Sequence, residues 1–279
     1  VSINLNAPFL PGHLPAEARA RGAIRASFRA AGGRSCLSGL YEGGGLRLRF
    51  PRNAQSCEAV LVNTGGGIIG GDRAELAFTA QAKADVTLTT QSAEKIYRAQ
   101  NNPAHVSLDL VAHENARLEW LPQETILFNG AKLKRSFTLD AHESARVTLL
   151  EATIFGRLAM GEENISGALA DRWRLRRDGK LVFAEDLRLE GEIGKMLDRK
   201  ACGAGARASA LLVHLAPDAE SLLEPMREAL AAAECAHGAS AWNGILALRL
   251  LSPAPEKMRA ALTKILEILR GRPAPRVWQ

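Results

Sequence analysis

Aromatic side chains are scarce in this chain, 5 % of 279 residues, and the basic residues are not interleaved with them. That excludes an evident stacking platform for nucleic-acid bases. Cysteine is also sparse. Cys36, Cys57, Cys202 and Cys235 form no C-x-x-C pair and no dense framework, which suits free thiols in a reducing cytosol. The six histidines, at 13, 105, 113, 142, 214 and 237, make neither H-x-H nor H-E-x-x-H, so no self-contained, tight transition-metal site is visible. No apolar run approaches a membrane span, and the first residues lack a signal-peptide layout. The expectation is a cytoplasmic protein without membrane contact.

What is present is a chain 47 % hydrophobic, long enough to bury a large core in one domain. A net charge of +6 favours acidic partners. The densest local feature is Val60 to Asp72, where an apolar strand runs into Gly65, Gly66, Gly67, Gly70 and Gly71. Glycine at this density lets a backbone reach positive φ or accept a close neighbour. A phosphate loop is excluded by chemistry, because Asp72 and Arg73 stand where a Lys and a Ser or Thr are needed. Gly65, Gly67 and Gly70 formally spell a dinucleotide fingerprint, which leaves a nucleotide-dependent enzyme as one alternative. It requires a helix over 72–84 and an acid ending the next strand. That strand, Val86 to Thr90, ends in Thr89, Thr90 and Gln91, and its period-two pattern reads as half-exposed. The remaining reading is a structural turn.

Most of the chain reads as strand. Leu46–Phe50, Val106–Leu110, Arg117–Trp120, Phe137–Leu139, Val147–Leu149, Leu181–Leu189, Leu211–Leu215 and Ile245–Leu250 alternate or carry β-type runs at short spacing. This predicts hairpins, meanders or a solenoid-like stack. Helices are predicted at about 218–233 and 256–270, flanking a further strand. The second has Met258, Leu262, Ile265 and Leu269 on one face, with Pro255 at its start and Gly271 past its end. Residues 1–22 read as a poorly ordered N-terminal arm and 23–279 as a single domain. Arg172, Arg174, Arg176 and Arg177 read as the solvated face of one strand. A basic nucleic-acid-binding β-module, the other alternative, would need them to join Arg47 and Arg49 in one groove.

Several separated blocks then converge. Val60 to Asp72, Thr89-Thr-Gln-Ser-Ala-Glu-Lys-Ile-Tyr-Arg98, Leu118 to Phe128, Glu151 to Glu162, the Trp242-Asn-Gly-Ile-Leu stretch and the closing Pro275-Arg-Val-Trp278 together resemble the UreD (UreH) family of urease accessory proteins. The resemblance runs over about 25–278 in the family's order. It implies a mostly β, β-helix-like stack with two α-helices toward the C-terminus. It implies a scaffold rather than an enzyme, one that binds apo-urease and, with UreF and the GTPase UreG, delivers nickel. No tightly bound cofactor is expected, only transient Ni²⁺. Asp72, Glu94, Glu124 and Glu151 lie inside family blocks, and carboxylates hold such an ion weakly enough to release it. They are the expected nickel path, supported by Glu75, Lys95, Tyr97, Arg98 and Arg157. Trp278 and Arg276, with the two helices, are the expected docking surface for UreF.

Overall fold

Period-two strands need something to bury one face against, and in this chain they bury it against each other. The structure, a computed structural model, describes residues 19–51 and 57–279. Residues 1–18 of the expected arm lie outside the described residues, while Arg21 and Gly22 already belong to β1 (Arg21–Ala31). β1 turns back into β2 (Arg34–Gly43), and β3 (Leu46–Arg49) pairs with β4 (Cys57–Asn63). The chain then coils through β5 (Arg73–Ala80), β6 (Asp85–Thr90), β7 (Glu94–Ile96), β8 (Ala104–Ala112), β9 (Arg117–Trp120), β10 (Thr125–Leu127), β11 (Lys132–Ala141), β12 (Arg146–Phe155) and β13 (Gly167–Arg177). After β14 (Lys180–Gly191) come α1 (Ile193–Asp198), β15 (Ala208–Leu215), α2 (Leu223–Ala231), β16 (Ala236–Trp242), β17 (Ile245–Ser252) and α3 (Pro255–Arg270).

Successive coils alternate between two sheets. β5, β8, β11 and β13 stack in parallel in the first, whose order is β14-β13-β11-β8-β5-β1-β2. β4, β6, β9 and β12 stack in parallel in the second, which antiparallel β15, β17 and β16 extend. The result is a mostly β, β-helix-like stack, with strand residues outnumbering helical ones more than two to one. Parallel strands usually read as continuous apolar runs because helices cover both faces of their sheet. These keep an alternating pattern because one face lines a lumen while the other, on the first sheet, meets solvent. Three corners repeat one turn: the N–H groups of Ala84, Ala116 and Ala145 donate to the carbonyls of Gln81, His113 and His142 at 3.0 Å each.

Two apolar clusters fill the lumen. The larger includes Phe28, Phe78, Trp120, Phe137 and Trp173; the smaller, at the other end of the strands, includes Ile68, Ile96, Leu127, Phe155 and Leu169. A third cluster covers the outer face of the second sheet. There Leu150, Leu212 and Leu248 meet Met226 of α2, Leu262 of α3 and the tail residue Trp278.

Three expectations change. Residues 218–233 form a 3₁₀ turn (Ala219–Leu222) followed by α2, with Pro225 in the first helical turn, where no intrahelical N–H is needed. α1 lies ahead of both expected helices, and at six residues it is too short to carry a periodic pattern. The β6 strand is not half-exposed: Thr87 and Thr89 are fully buried, because the end of α3 and the tail cover that face. The Thr87 hydroxyl donates to Glu119 at 2.6 Å and the Thr89 hydroxyl to the Leu121 carbonyl at 2.6 Å.

Candidate functional site

Between the two lumenal clusters lies a polar waist. It forms where the second sheet bends, at residues 91–93 between β6 and β7 and at 121–124 between β9 and β10. β12 passes this bend as one strand, pairing with β9 through Arg146–Leu149 and with β10 through Thr153–Phe155. Glu151 falls between the two pairings. Leu149, two residues before it, belongs to the larger lumenal cluster while Leu150 and Ala152 belong to the outer one, so alternation aims it inward. On β11 the inward positions are Leu133, Arg135, Phe137 and Leu139, and on β13 they are Leu169, Asp171, Trp173 and Leu175. A guanidinium and two carboxylates therefore meet in a lumen otherwise lined by apolar groups.

The geometry is tight. Arg135 forms ion pairs with Glu151 and, at 2.6 Å, with Asp171; the Arg135 and Glu151 side chains are 5 % and 6 % exposed. Trp120 Nε1 donates to Glu151 at 2.9 Å, and Arg135 donates to the Thr125 hydroxyl at 3.1 Å. Glu94 accepts from Asn63 Nδ2 with both oxygens at 3.1 Å. Glu94, Thr125, Arg135 and Glu151 line one interior cavity of about 60 Å³, large enough for a water or two with polar partners to hold them. Burial pushes Glu151 up to about 7; Arg135 opposes this, but Asp171 shares the same guanidinium and adds a like charge. Burial likewise raises Glu94, which the Asn63 hydrogen bond only partly offsets. Arg135 Nε and Asp171 Oδ1 are buried without a partner among the described residues.

The structure brings two of the four expected acids together and sends the other two elsewhere. Asp72 is buried, but its oxygens accept from the N–H groups of Ala20 and Ile69, both at 2.9 Å, tying the glycine loop to the start of β1. Glu124 faces α3, where Arg259 donates to it at 2.8 Å. Glu75 is exposed on the outside of the first sheet. Lys95, Arg98 and Arg157 are exposed, and none of their side chains bonds to Glu94 or Glu151; Arg157 pairs with Glu162 at 3.0 Å and lies over the Phe128 ring. The compensating cation is Arg135, which the sequence reading passed over although its inward parity was visible between Leu133 and Phe137. Among the described residues, no three His, Cys, Asp or Glu side chains come together in a group that could hold a metal ion.

The glycine loop is the first coil's version of the same bend. Ile68 bridges to Ile96 in parallel, so residues 64–67 stack beside 91–93. Gly66, Gly67 and Gly71 have positive φ, and Tyr97 donates its hydroxyl proton to the Gly66 carbonyl at 3.2 Å. Arg73–Ala80 is strand, so the helix that a dinucleotide fingerprint requires is absent. Arg47 and Arg49 sit on β3 of the second sheet and Arg172–Arg177 on β13, near the other end of the first. They do not form the single groove that the nucleic-acid alternative needs. Trp278 is packed within the chain itself: it is 3 % exposed, its Nε1 donates to the Leu121 carbonyl at 3.0 Å, and Arg259 stacks over its ring. A chain-end aromatic reads as an anchor in the sequence, and here it anchors the chain to its own core. Arg276 remains exposed.

The sequence profile of the UreD urease accessory protein family matches residues 20–279. The chain belongs to the UreD urease accessory protein family. It is 47 % identical over 260 residues to urease accessory protein UreD of Xanthobacter autotrophicus, covering 93 % of this chain and 90 % of the relative. The corresponding protein of Methylobacterium sp. (strain 4-46) is 50 % identical over 255 residues, covering 89 % and 90 %. That of Beijerinckia indica is 46 % identical over 262 residues, covering 93 % and 97 %. Membership assigns this UreD-family chain an accessory role in urease maturation. Among the described residues no helix is long and apolar enough to cross a membrane.

Within that family setting, the waist has a definite chemistry. It sets two carboxylates, Glu94 and Glu151, the second raised to about 7, and the Arg135 guanidinium beside a small cavity whose other walls are mostly apolar.

Proposed function

We propose that this chain is a non-catalytic maturation scaffold and chaperone in the cytoplasm. It binds apo-urease and, in a hetero-oligomer with UreF and the GTPase UreG, passes nickel toward the urease active site. The observation that carries the nickel step is the pair of inward carboxylates, Glu94 and Glu151, on one interior cavity. Asp72 and Glu124, whose oxygens are engaged by backbone N–H groups and by Arg259, shape the ends of that region rather than line it. Burying unpaired acids is costly. Arg135 and Asn63 compensate these two without filling the void. Glu151, titrating near 7, gives up its proton as Ni²⁺ arrives and regains it as the ion leaves.

The test is urease matured with Glu94→Gln and Glu151→Gln variants, singly and together. Amide side chains keep the shape and much of the hydrogen bonding while removing the charge. The expected result is that the double variant still copurifies with UreF, UreG and apo-urease, while nickel content and urease activity fall at least fivefold. Normal loading by an intact variant complex would leave the chain as a scaffold through which no nickel moves.

A further inference from the structure

The parallel register that builds the waist also aligns charges on the outside of the first sheet. Following the pairing across it, Arg21 lies beside Arg73, Arg73 beside His105, His105 beside Lys134, Lys134 beside Ala170 and Ala170 beside Arg188. All six positions face outward, so five strands contribute a basic group to one transverse row. Like charges directly across a sheet are destabilising. Nothing within the row offsets them: among the described residues Arg21, Arg73 and Lys134 enter no ion pair, and only Arg188 has one, with Glu190 at 2.6 Å. His105 registers this field, since burial and then Arg73 and Lys134 hold its imidazole below the ordinary value.

From Arg73 to Arg188 the row is one wall of an open groove of about 500 Å³ that crosses β5, β8, β11, β13 and β14. Ser107, Ser136 and Ala170 keep its floor low. Two acids lie on the far wall: Asp186, paired with Arg174 and Arg172, and Glu75, which enters no ion pair among the described residues and leaves the cations of the groove in excess. No aromatic side chain lines the groove, which disfavours a nucleic acid needing a stacking surface.

We infer that this groove is a docking site for an extended acidic segment of a partner protein, laid across the strands with acidic residues at every third position. Arg73, Lys134 and Arg188 stand two strands apart each, a step of about 9.6 Å at the usual strand spacing. A polyproline-II segment brings the same face round every three residues, about 9.3 Å. Its carboxylates then meet the three cations in turn, with the His105 and Ala170 positions between them. The inference is independent of the nickel reading, because it concerns the outer face of the first sheet and no acid of the lumen.

The test measures binding of fluorescent nine-residue peptides to the intact chain by anisotropy. One peptide carries three glutamates at every third position in a proline-rich frame, and a second has the same composition with the glutamates consecutive. The spaced peptide should bind at least about tenfold tighter, weaken steeply with added salt, and lose at least tenfold on the double substitution Arg73→Glu and Lys134→Glu. Both side chains are exposed, so the variant keeps its fold, which circular dichroism verifies. The double substitution Arg29→Glu and Arg34→Glu, at the tip of the β1–β2 hairpin, changes net charge equally and should leave binding unaltered. Equal affinity for the two peptides, unchanged binding by the groove variant, or equal loss in the hairpin variant would overturn the proposal. So would tighter binding of a single-stranded oligonucleotide that the groove substitutions abolish.

Discussion

A Cβ built on Gly70 would lie 2.4 Å from the Ala99 Cβ and 2.5 Å from the Asn102 carbonyl oxygen, whereas one built on Gly66 meets nothing within 4 Å. The two glycines look alike in sequence but serve different needs. Gly66 supplies positive φ, so Gly66→Ala should cost about 1 kcal/mol. Gly70 admits a neighbouring backbone, so Gly70→Ala should cost about 3 kcal/mol through overpacking. Urea midpoints of the two variants check that order. Glu151 gives a second prediction at this scale. Its folded pKa, about 7, lies above the ordinary carboxyl value of 4.5, so between these the native state binds more protons than the unfolded chain. Its contribution therefore favours folding most below pH 4.5 and is lost as pH rises through 7. Relative to Glu151→Gln, the wild type should lose on the order of 3 kcal/mol of stability between pH 4.5 and 8. Urea unfolding of both proteins across that range measures it. His214 works in the opposite sense: burial lowers it to about 4, so its contribution is lost as pH falls from 6.5 through 4, in both proteins alike.

At the scale of elements, α3 and the tail act as one lid on the second sheet. The amphipathic stripe of α3 was legible from Met258, Leu262 and Ile265, and Gly271 ends the helix in the left-handed conformation as its position suggested. What the stripe could not reveal is the ionic latch beneath its end. Arg270 and Arg272 reach Glu119 at 3.0 and 3.1 Å. Burial alone would raise Glu119, but Arg270 and Arg272 outweigh it and hold the carboxyl below its ordinary range. Glu119 reads as an outward strand residue from its parity against Trp120, and outward it is. The sequence does not say that outward means under a helix. Deleting residues 273–279 removes Ala274 and Trp278 from the core, and the loss of a buried tryptophan alone is worth about 3–5 kcal/mol. The truncated chain should therefore melt well below the full-length chain in a thermal scan. A melting temperature unchanged by the deletion would show that the tail does not pack as described.

At the scale of the whole molecule, the coil was partly written in the chain. Ala112-His-Glu-Asn-Ala-Arg117 recurs as Ala141-His-Glu-Ser-Ala-Arg146, two stacked corners that give the coil period directly. That repeat is the signal that most plainly distinguishes stacked coils from hairpins, and the alternation alone left both open. The family and the mostly β character followed from local order: motif sequence, strand parity and turn residues all act over a few residues. Parity marks Arg135 and Asp171 as inward, between Leu133 and Phe137 and between Leu169 and Trp173, a signal the motif reading did not use; it leaves Glu151 open, because β12 is buried on both faces. Which of them would meet, and that Glu94 would join Glu151 on one cavity while Asp72 and Glu124 were drawn off to Ile69 and Arg259, depended on how coils of unequal length came into register and on where the second sheet bends. Parity names a face. Only the stacked structure decides the neighbour on that face, because contacts between coils join residues some thirty positions apart, and the helical lid that buries Thr87 and Glu119 arrives from more than a hundred residues downstream.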